Sequence, residues 1–255
     1  QKVKPEFEAA NPGATVKLQP IESEDQYFTK LALMNGSPET APDVIYEDTF
    51  QIKSDSAAGY LLPIDDYVAN WADWSQFYDA AKQAGLGDDG KTYGVSMGTD
   101  TRGIYFNKDI FAKAGLPVDW QPKTWDDIIT AAEKIKAAVP DVTPLNIYGG
   151  KAAGEQTSMQ GFEMLMYGTG STLYDNDQQK WITGSKGMTD SLSFYKELYD
   201  KGLATPLDLA LDPTIGSRVS TELIPQGKVA MAIDGSWLPG GWMTGDHAWP
   251  AWQQT

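Results

Sequence analysis

The chain has 255 residues, of which 41% are apolar, and a formal net charge of −15. This length can fill the core of one large or two modest domains. The acidic excess argues against nucleic acid and anionic lipid as partners, because both need clustered Lys and Arg. Since there is no cysteine, disulfides, thiolate metal sites and cysteine nucleophiles are excluded.

The two ends of the sequence lack the signals that usually open and close a domain. Residues 1–13 have the pattern of the end of an amphipathic helix, and residues 249–255 stop without a terminating signal. No signal peptide opens the chain, and no run approaches the ~20 apolar residues of a spanning helix. We therefore expect a chain truncated at both ends, with any targeting signal outside it.

The first half of the chain has a strand, helix, strand order. Residues 14–21 alternate and are rich in β-formers, residues 23–35 form a helix pattern capped by Ser23, and residues 43–46 form a short apolar run. This order is typical of a parallel sheet with crossover helices and predicts an α/β fold.

Two acidic residues follow the second of these strands. Ligands of open α/β sheets bind beyond the carboxyl ends of the strands, where Glu47 and Asp48 would lie. The same residues are suited to capping the helix predicted for residues 49–58, since acids are favoured at helix N-termini. The two roles are compatible.

The stretch from residue 93 to residue 115 organises the chain. It contains a strand (93–97), a polar break that carries Asp100 and Arg102, a second strand (104–106) and a short helix. Because two strands are joined without room for a helix, we expect a crossing between two lobes, with the functional site nearby.

The rest of the chain alternates helices with short strands. A further helix, at 73–84, precedes the central stretch. Helices are predicted for residues 124–139, 157–167, 189–201 and 217–226, and strands for 144–148 and 228–233. The last strand ends in Asp234-Gly235-Ser236-Trp237, which makes Trp237 a third candidate wall of one cleft.

Catalytic chemistry has little support in this sequence. With His247 as the sole histidine, a histidine metal cluster is excluded, and no G-x-S-x-G motif is present, so we assign no catalytic residue and no metal ligand. Glu47 or Asp48 with Asp100 could form a glycosidase pair if roughly 5 to 9 Å apart. No local feature is seen that would raise the pKa of one of these carboxyls, and Arg102 favours an ionised Asp100. Ionised carboxylates and guanidinium groups match sugar hydroxyls, so binding is favoured over catalysis.

Seven segments resemble one family in order and spacing. They include A-P-D-V-I-Y-E-D (41–48), T-R-G-I-Y-F-N-K-D-I-F-A-K-A-G-L (101–116) and G-K-V-A-M-A-I-D-G-S-W (227–237); the others are 7–17, 59–67, 91–96 and 122–127. The chain resembles extracellular solute-binding proteins that deliver sugars to ABC importers, of the maltose- and trehalose-binding type. The resemblance implies an α/β, two-lobed periplasmic-binding-protein fold (type II), with residues 1–102 in an N-terminal lobe and 103–255 in a C-terminal lobe, both incomplete.

The resemblance also implies a function and a site. It implies a monomer outside the cytoplasm, in the periplasm or as a cell-surface lipoprotein. This monomer would capture a di- or oligosaccharide between the lobes and pass it to the membrane permease of an ABC importer, without a cofactor and without nucleic acid. The residues it places at the sugar are Glu47, Asp48, Asp100, Arg102, Gln160 and Trp237. The family's first strand and C-terminal crossings have no counterpart here, so this site is partial.

Two alternatives stay open. One is a carbohydrate-active hydrolase that uses the paired carboxylates. The other is a binder of a polyamine or another small solute on the same scaffold. An amino acid is a poorer candidate, because acidic residues in the cleft would repel its carboxylate.

Overall fold

The computed structural model describes residues 2–21 and 24–253. The chain divides into two compact units, Gln1–Thr99 and Asp100–Thr255. The division falls in the polar break in which a crossing is expected. The lobe boundary expected after Arg102 stays a prediction. The helix cap expected at Ser23 also stays a prediction, because Ser23 lies outside the described residues.

The described part of the N-terminal unit is built from short helices. They are α1 (Val3–Ala10), α2 (Glu24–Asn35), α3 (Thr49–Ala57), α4 (Asp65–Ala69) and α5 (Asp79–Gln83), with a 3-10 turn at Ala72–Gln76. The buried apolar side chains here are Leu31, Ile52, Val68 and Ala81. The single helix predicted for 73–84 is therefore a 3-10 turn followed by α5.

The strands predicted in this unit are wrong. Residues 14–21, 43–46 and 93–97 run without regular strand pairing, and among the described residues of the unit only Leu86 and Thr92 form a bridge. The physical reason is that a strand is completed by its neighbour, which must supply the partners for its backbone N–H and C=O groups. β-forming residues alone do not provide that neighbour.

The C-terminal unit contains a three-stranded sheet in the order β1-β5-β2. Strand β1 is Arg102–Phe106, β2 is Thr143–Asn146 and β5 is Val229–Gly235; the small pair β3 (Tyr174–Asp175) and β4 (Lys180–Trp181) lies outside this sheet. Strand β5 runs antiparallel to β1 and parallel to β2, and all seven of its residues are buried. The register pairs Arg102 with Gly235. The first residue of β1 therefore lies beside the last residue of β5.

The C-terminal unit also contains eight helices in its described residues. They are α6 (Lys108–Lys113), α7 (Trp125–Ala138), α8 (Glu155–Thr157), α9 (Glu163–Gly168), α10 (Lys186–Asp200), α11 (Leu207–Ala210), α12 (Ile215–Arg218) and α13 (Leu238–Met243), with 3-10 turns at Lys151–Ala153 and Pro250–Gln253. The larger hydrophobic cluster joins α7, α10, β2 and β5 through the fully buried Ile135, Leu198, Leu145 and Met231. No helix in the described residues has the length and apolar content to span a membrane.

Helix α7 shows how local sequence sets an element. The Thr124 side chain accepts from the Asp127 backbone N–H at 3.2 Å, and the Asp127 carboxylate accepts from the Thr124 N–H at 2.9 Å. This is the predicted capping box with Asp in place of Glu. The apolar stripe of α7, which includes Ile128 and Ile135, is buried as expected.

The helix predicted for 189–201 is present as α10, whereas those predicted for 157–167 and 217–226 are interrupted by π-helical turns, at Ser158–Phe162 and Val219–Leu223. At the first of these, Gly161 approaches the end of the sheet closely. A Cβ on Gly161 would lie 2.5 Å from the Tyr148 carbonyl oxygen and 2.4 Å from the Tyr195 hydroxyl. Glycine at this position therefore lets the helix pack directly against backbone.

Candidate ligand-binding site

The ends of β1 and β5 form one fixed corner of the C-terminal unit. Beyond the Arg102–Gly235 pair, the Ser236 backbone N–H donates to the Thr101 carbonyl at 2.9 Å. The Thr101 N–H donates to the Ser236 hydroxyl at 3.1 Å. These bonds hold the polar segment before β1 against the segment after β5, and so bring residues far apart in sequence to the same place.

Asp100, Arg102 and Trp237 meet at this corner. The Arg102 guanidinium forms an ion pair with the Asp100 carboxylate, and its central carbon lies 4.4 Å from the centroid of the Trp237 ring. The Trp237 side chain is 40% exposed. The structure therefore groups three of the six predicted site residues around a partly open aromatic ring.

Gly235 supports the Trp237 ring. A Cβ on Gly235 would lie 1.9, 2.1 and 2.2 Å from three consecutive atoms of that ring, Cζ3, Cη2 and Cε3. Because the three distances are nearly equal, the position of the added Cβ lies over the face of the ring and not beyond its edge. The glycine therefore lets the ring lie flat on the end of β5, a role that the sequence did not reveal.

A buried polar pair lies beneath this corner. Asp234 is 2% exposed, and it accepts hydrogen bonds from the Tyr148 hydroxyl at 2.9 Å and from the Gly235 N–H at 2.7 Å. Burial raises the pKa of Asp234, while its two hydrogen bonds and nearby Arg102 act in the opposite direction. Burial also raises the pKa of Tyr148. The Tyr105 hydroxyl donates to the Gly235 carbonyl at 2.9 Å, which fixes the strand end from the other side.

Gln160 lies in the π-helical turn that packs beside β5. Its side-chain N–H donates to a Glu155 carboxylate oxygen at 3.1 Å, and its own buried side-chain oxygen has no hydrogen-bond partner in the described structure. No described hydrogen bond joins Gln160 to the Trp237 corner. Its role at a ligand stays a prediction.

Asp48 caps α3 in the N-terminal unit. Its exposed carboxylate accepts from the Thr49 backbone N–H at 2.7 Å. The capping interpretation is therefore confirmed for Asp48 but not for Glu47, whose carboxylate caps no backbone N–H in the described structure, and a second role of Asp48 at a ligand stays a prediction.

Glu47 has a different environment from Asp48. The residue is partly buried, but both of its carboxylate oxygens are buried without a hydrogen-bond partner in the described structure, and the carboxyl of Asp55 lies close enough to affect it. Burial, followed by the effect of Asp55, raises the pKa of Glu47 to about 8. The expectation that no feature raises a carboxyl pKa here was wrong for Glu47, because the sequence did not show that its side chain turns inward. Its role at a ligand stays a prediction.

A separate aromatic cavity of about 260 Å³ lies between β1, β5 and the chain after α13. Its lining includes Tyr105, Trp242, Trp249 and Trp252, and none of the predicted site residues. Trp242 is 3% exposed and donates its indole N–H to the Ser220 carbonyl at 2.7 Å, so it belongs to the core. Within the described residues no group of three or more His, Cys, Asp or Glu could hold a metal.

A comparison with known families identifies the family of this chain. The sequence model of the family described as "Bacterial extracellular solute-binding protein" matches residues 1–250. The chain belongs to this family. Its members are solute-binding proteins of ABC transporters rather than enzymes, and they act in the periplasm or anchored at the cell surface.

The individual similarities agree with this assignment. An ABC transporter solute-binding protein from Thermotoga lettingae TMO, solved with α-D-tagatose, has a TM-score of 0.78 and 28% identity, covering 93% of this chain and 58% of that one. A lactose-binding protein of Rhizobium radiobacter is 24% identical over 92% of this chain and 52% of its own. The sn-glycerol-3-phosphate-binding periplasmic protein UgpB of Brucella abortus (strain 2308) is 31% identical over 52% of this chain and 29% of its own.

These similarities confirm the expected α/β fold of two-lobed solute-binding proteins. The chain spans about half the length of the curated relatives it matches. The activity, ligand and partners of the whole protein are therefore matters for proposal.

Proposed function

We propose that the protein captures a sugar, a di- or oligosaccharide, between its two lobes and delivers it to the permease of an ABC importer. The observation that carries this proposal is the corner formed by Asp100, Arg102 and Trp237. A carboxylate accepts hydrogen bonds from sugar hydroxyls, and an indole ring packs against the apolar C–H face of a sugar ring; the Arg102 guanidinium lies on both of these groups. Proteins similar to this chain include the tagatose complex and the lactose-binding protein.

The mechanism that we propose is closure around the ligand. Glu47 and Asp48 would contribute from the N-terminal lobe, and Asp100, Gln160 and Trp237 from the crossing and the C-terminal lobe, with Arg102 beside Asp100 and Trp237. A ligand that touches both lobes stabilises the closed arrangement by the difference between its affinities for the closed and open states. The permease would recognise the closed form of a monomer outside the cytoplasm, and nucleic acid has no part in this scheme.

Calorimetry with a defined panel tests the ligand class. The panel is tagatose, lactose, maltose, sn-glycerol-3-phosphate and spermidine, the last two standing for other small solutes. We expect at least one sugar to bind and to be recovered unaltered, and to raise the melting temperature by mass action. Binding of sn-glycerol-3-phosphate or spermidine without any sugar would contradict the proposal.

Two substitutions test the site. Trp237→Ala removes the aromatic face, and Asp100→Ala removes a charged acceptor; each should weaken sugar binding by about 10-fold or more without unfolding the protein. Trp181→Ala is the matched control, because Trp181 is 74% exposed on β4, outside the three-stranded sheet. Asp190→Ala is the control for the acidic residue, since Asp190 pairs with Lys186 on the surface of α10. Unchanged affinity in both test variants would reject the site.

A further inference from the structure

The Arg102 side chain contacts both groups that a sugar would use at this corner, the Asp100 carboxylate and the Trp237 ring. Its guanidinium pairs with the Asp100 carboxylate and lies 4.4 Å from the centre of the Trp237 ring. A sugar ring stacked on Trp237 would lie at a similar height above the indole. Arg102 and the sugar therefore compete for one position.

Trp237 has only one face to offer. Gly235 lies against the ring so closely that even a Cβ there would be 1.9 Å from Cζ3. The strand end thus occupies one face of the indole. Since that face is filled, the Arg102 guanidinium, whose central carbon lies 4.4 Å from the ring centroid, has room only over the other face, which is also the face that a stacking ligand must use. We infer that Arg102 is a displaceable cap on that face, and that a neutral sugar binds Trp237 and Asp100 only after the guanidinium leaves. This inference rests on the proposed function.

The contacts that hold the cap are weak enough to be exchanged for a ligand. The Asp100 and Arg102 side chains are 49% and 30% exposed, so solvent screens their ion pair. An exposed cation–π contact and an exposed ion pair each change an equilibrium constant by a factor of only about 2 to 5. In exchange, the sugar gains the aromatic face and the carboxylate acceptor together.

Arginine side-chain NMR can follow the cap directly, since the sequence has only two arginines, Arg102 and Arg218. In protein labelled with ¹⁵N-arginine, the Nε–H signal of Arg102 should be shifted upfield by the ring current of Trp237. Saturation with the tightest sugar from the calorimetric panel should move it toward the position of a free arginine. Arg218, which pairs with Asp212 and Glu222, is the internal reference and should stay in place. Arg102→Lys assigns the signals.

Affinity measurements give an independent test. Arg102→Ala removes both contacts, so it should raise the affinity for a neutral sugar by at least about 2- to 5-fold, the factor expected for either exposed contact alone. The gain should shrink when Trp237→Ala is also present, because only the competition for Asp100 is then left to remove, and Arg218→Ala should have no effect.

The outcomes separate the cap from the function. A sugar that binds while the Arg102 signal keeps its upfield position, or an Arg102→Ala variant that binds sugar more weakly than the wild type, would overturn the cap and leave the proposed function standing. Failure of every sugar in the panel to bind would overturn the proposed function and the cap with it.

Discussion

The close approach of Gly235 to Trp237 makes Gly235→Ala the most informative substitution in this structure. An added Cβ would lie 1.9 Å from Cζ3 of the ring, whereas ordinary carbon contacts are about 3.5 to 4 Å. The ring must therefore shift by at least about 1.5 Å. A shift of this size away from Gly235 moves the ring toward the Arg102 guanidinium, which must then change its position as well.

The cost can be worked out from the burial of the ring. Trp237 is 40% exposed, so roughly 120 Å² of a side chain of about 200 Å² is covered. At about 25 cal/mol per Å², complete loss of this burial would cost about 3 kcal/mol. Since the ring shifts rather than leaves, and alanine is better than glycine in a strand by about 0.5 kcal/mol, we expect a loss of about 1 to 2 kcal/mol. Sugar affinity should fall as in Trp237→Ala.

Gly103→Ala is the matched control for this substitution. Gly103 lies in β1, one residue from Arg102, and a Cβ there meets no atom within 4 Å. It should leave stability unchanged or raise it by about 0.5 kcal/mol. Urea unfolding and sugar calorimetry on both variants provide the comparison. Equal stability and equal affinity for the two variants would refute the role of Gly235 as the support of the ring.

The remaining predictions concern buried polar groups. The pKa of Glu47 is about 8 in the folded protein against an ordinary value of 4.5, so the folded state keeps a proton that the unfolded chain loses; stability should fall as pH rises from 4.5 to 8. Because Glu47 is only partly buried, solvent screens part of this effect, and we expect the free energy of unfolding to fall by about 1 to 2 kcal/mol over this window. The fall should be absent in Glu47→Gln and retained in the exposed control Glu39→Gln. Urea unfolding at several pH values that showed the same slope of stability against pH in all three proteins would contradict this. Tyr148→Phe removes a hydrogen bond from the buried Asp234 and should cost about 1 to 3 kcal/mol in urea unfolding, whereas Tyr78→Phe, at an 82% exposed position, should cost almost nothing. Equal losses in these two variants would argue against the buried pair.

Local signals in the sequence predicted the elements that local interactions determine. Helix α7 follows from its capping box and apolar stripe, and β5 follows from a short apolar run that ends in polar residues. Local signals could not decide whether the strands expected at 14–21, 43–46 and 93–97 form, because a strand needs a second strand to pair with, and that partner can come from any part of the chain. The π-helical turns were missed for a similar reason, since one of them accommodates the close contact between Gly161 and Tyr148.

The candidate site shows the same limit. Asp100 and Arg102 are two residues apart, and Trp237 directly follows a strand end, so each could be singled out from its local surroundings. Their meeting depends on the antiparallel register that pairs Arg102 with Gly235, which sequence patterns do not encode. A signal for Asp234 was present, because an acidic residue closes an otherwise apolar strand, but its partner Tyr148 comes from a different strand end.

The most direct test of this account is a crystal structure of the protein with its tightest-binding sugar. The account predicts a sugar ring packed on Trp237, a hydroxyl within hydrogen-bond distance of the Asp100 carboxylate, and an Arg102 guanidinium that has left the indole face. A sugar bound elsewhere, with Asp100 and Trp237 both free of contact with it, would contradict the central claim.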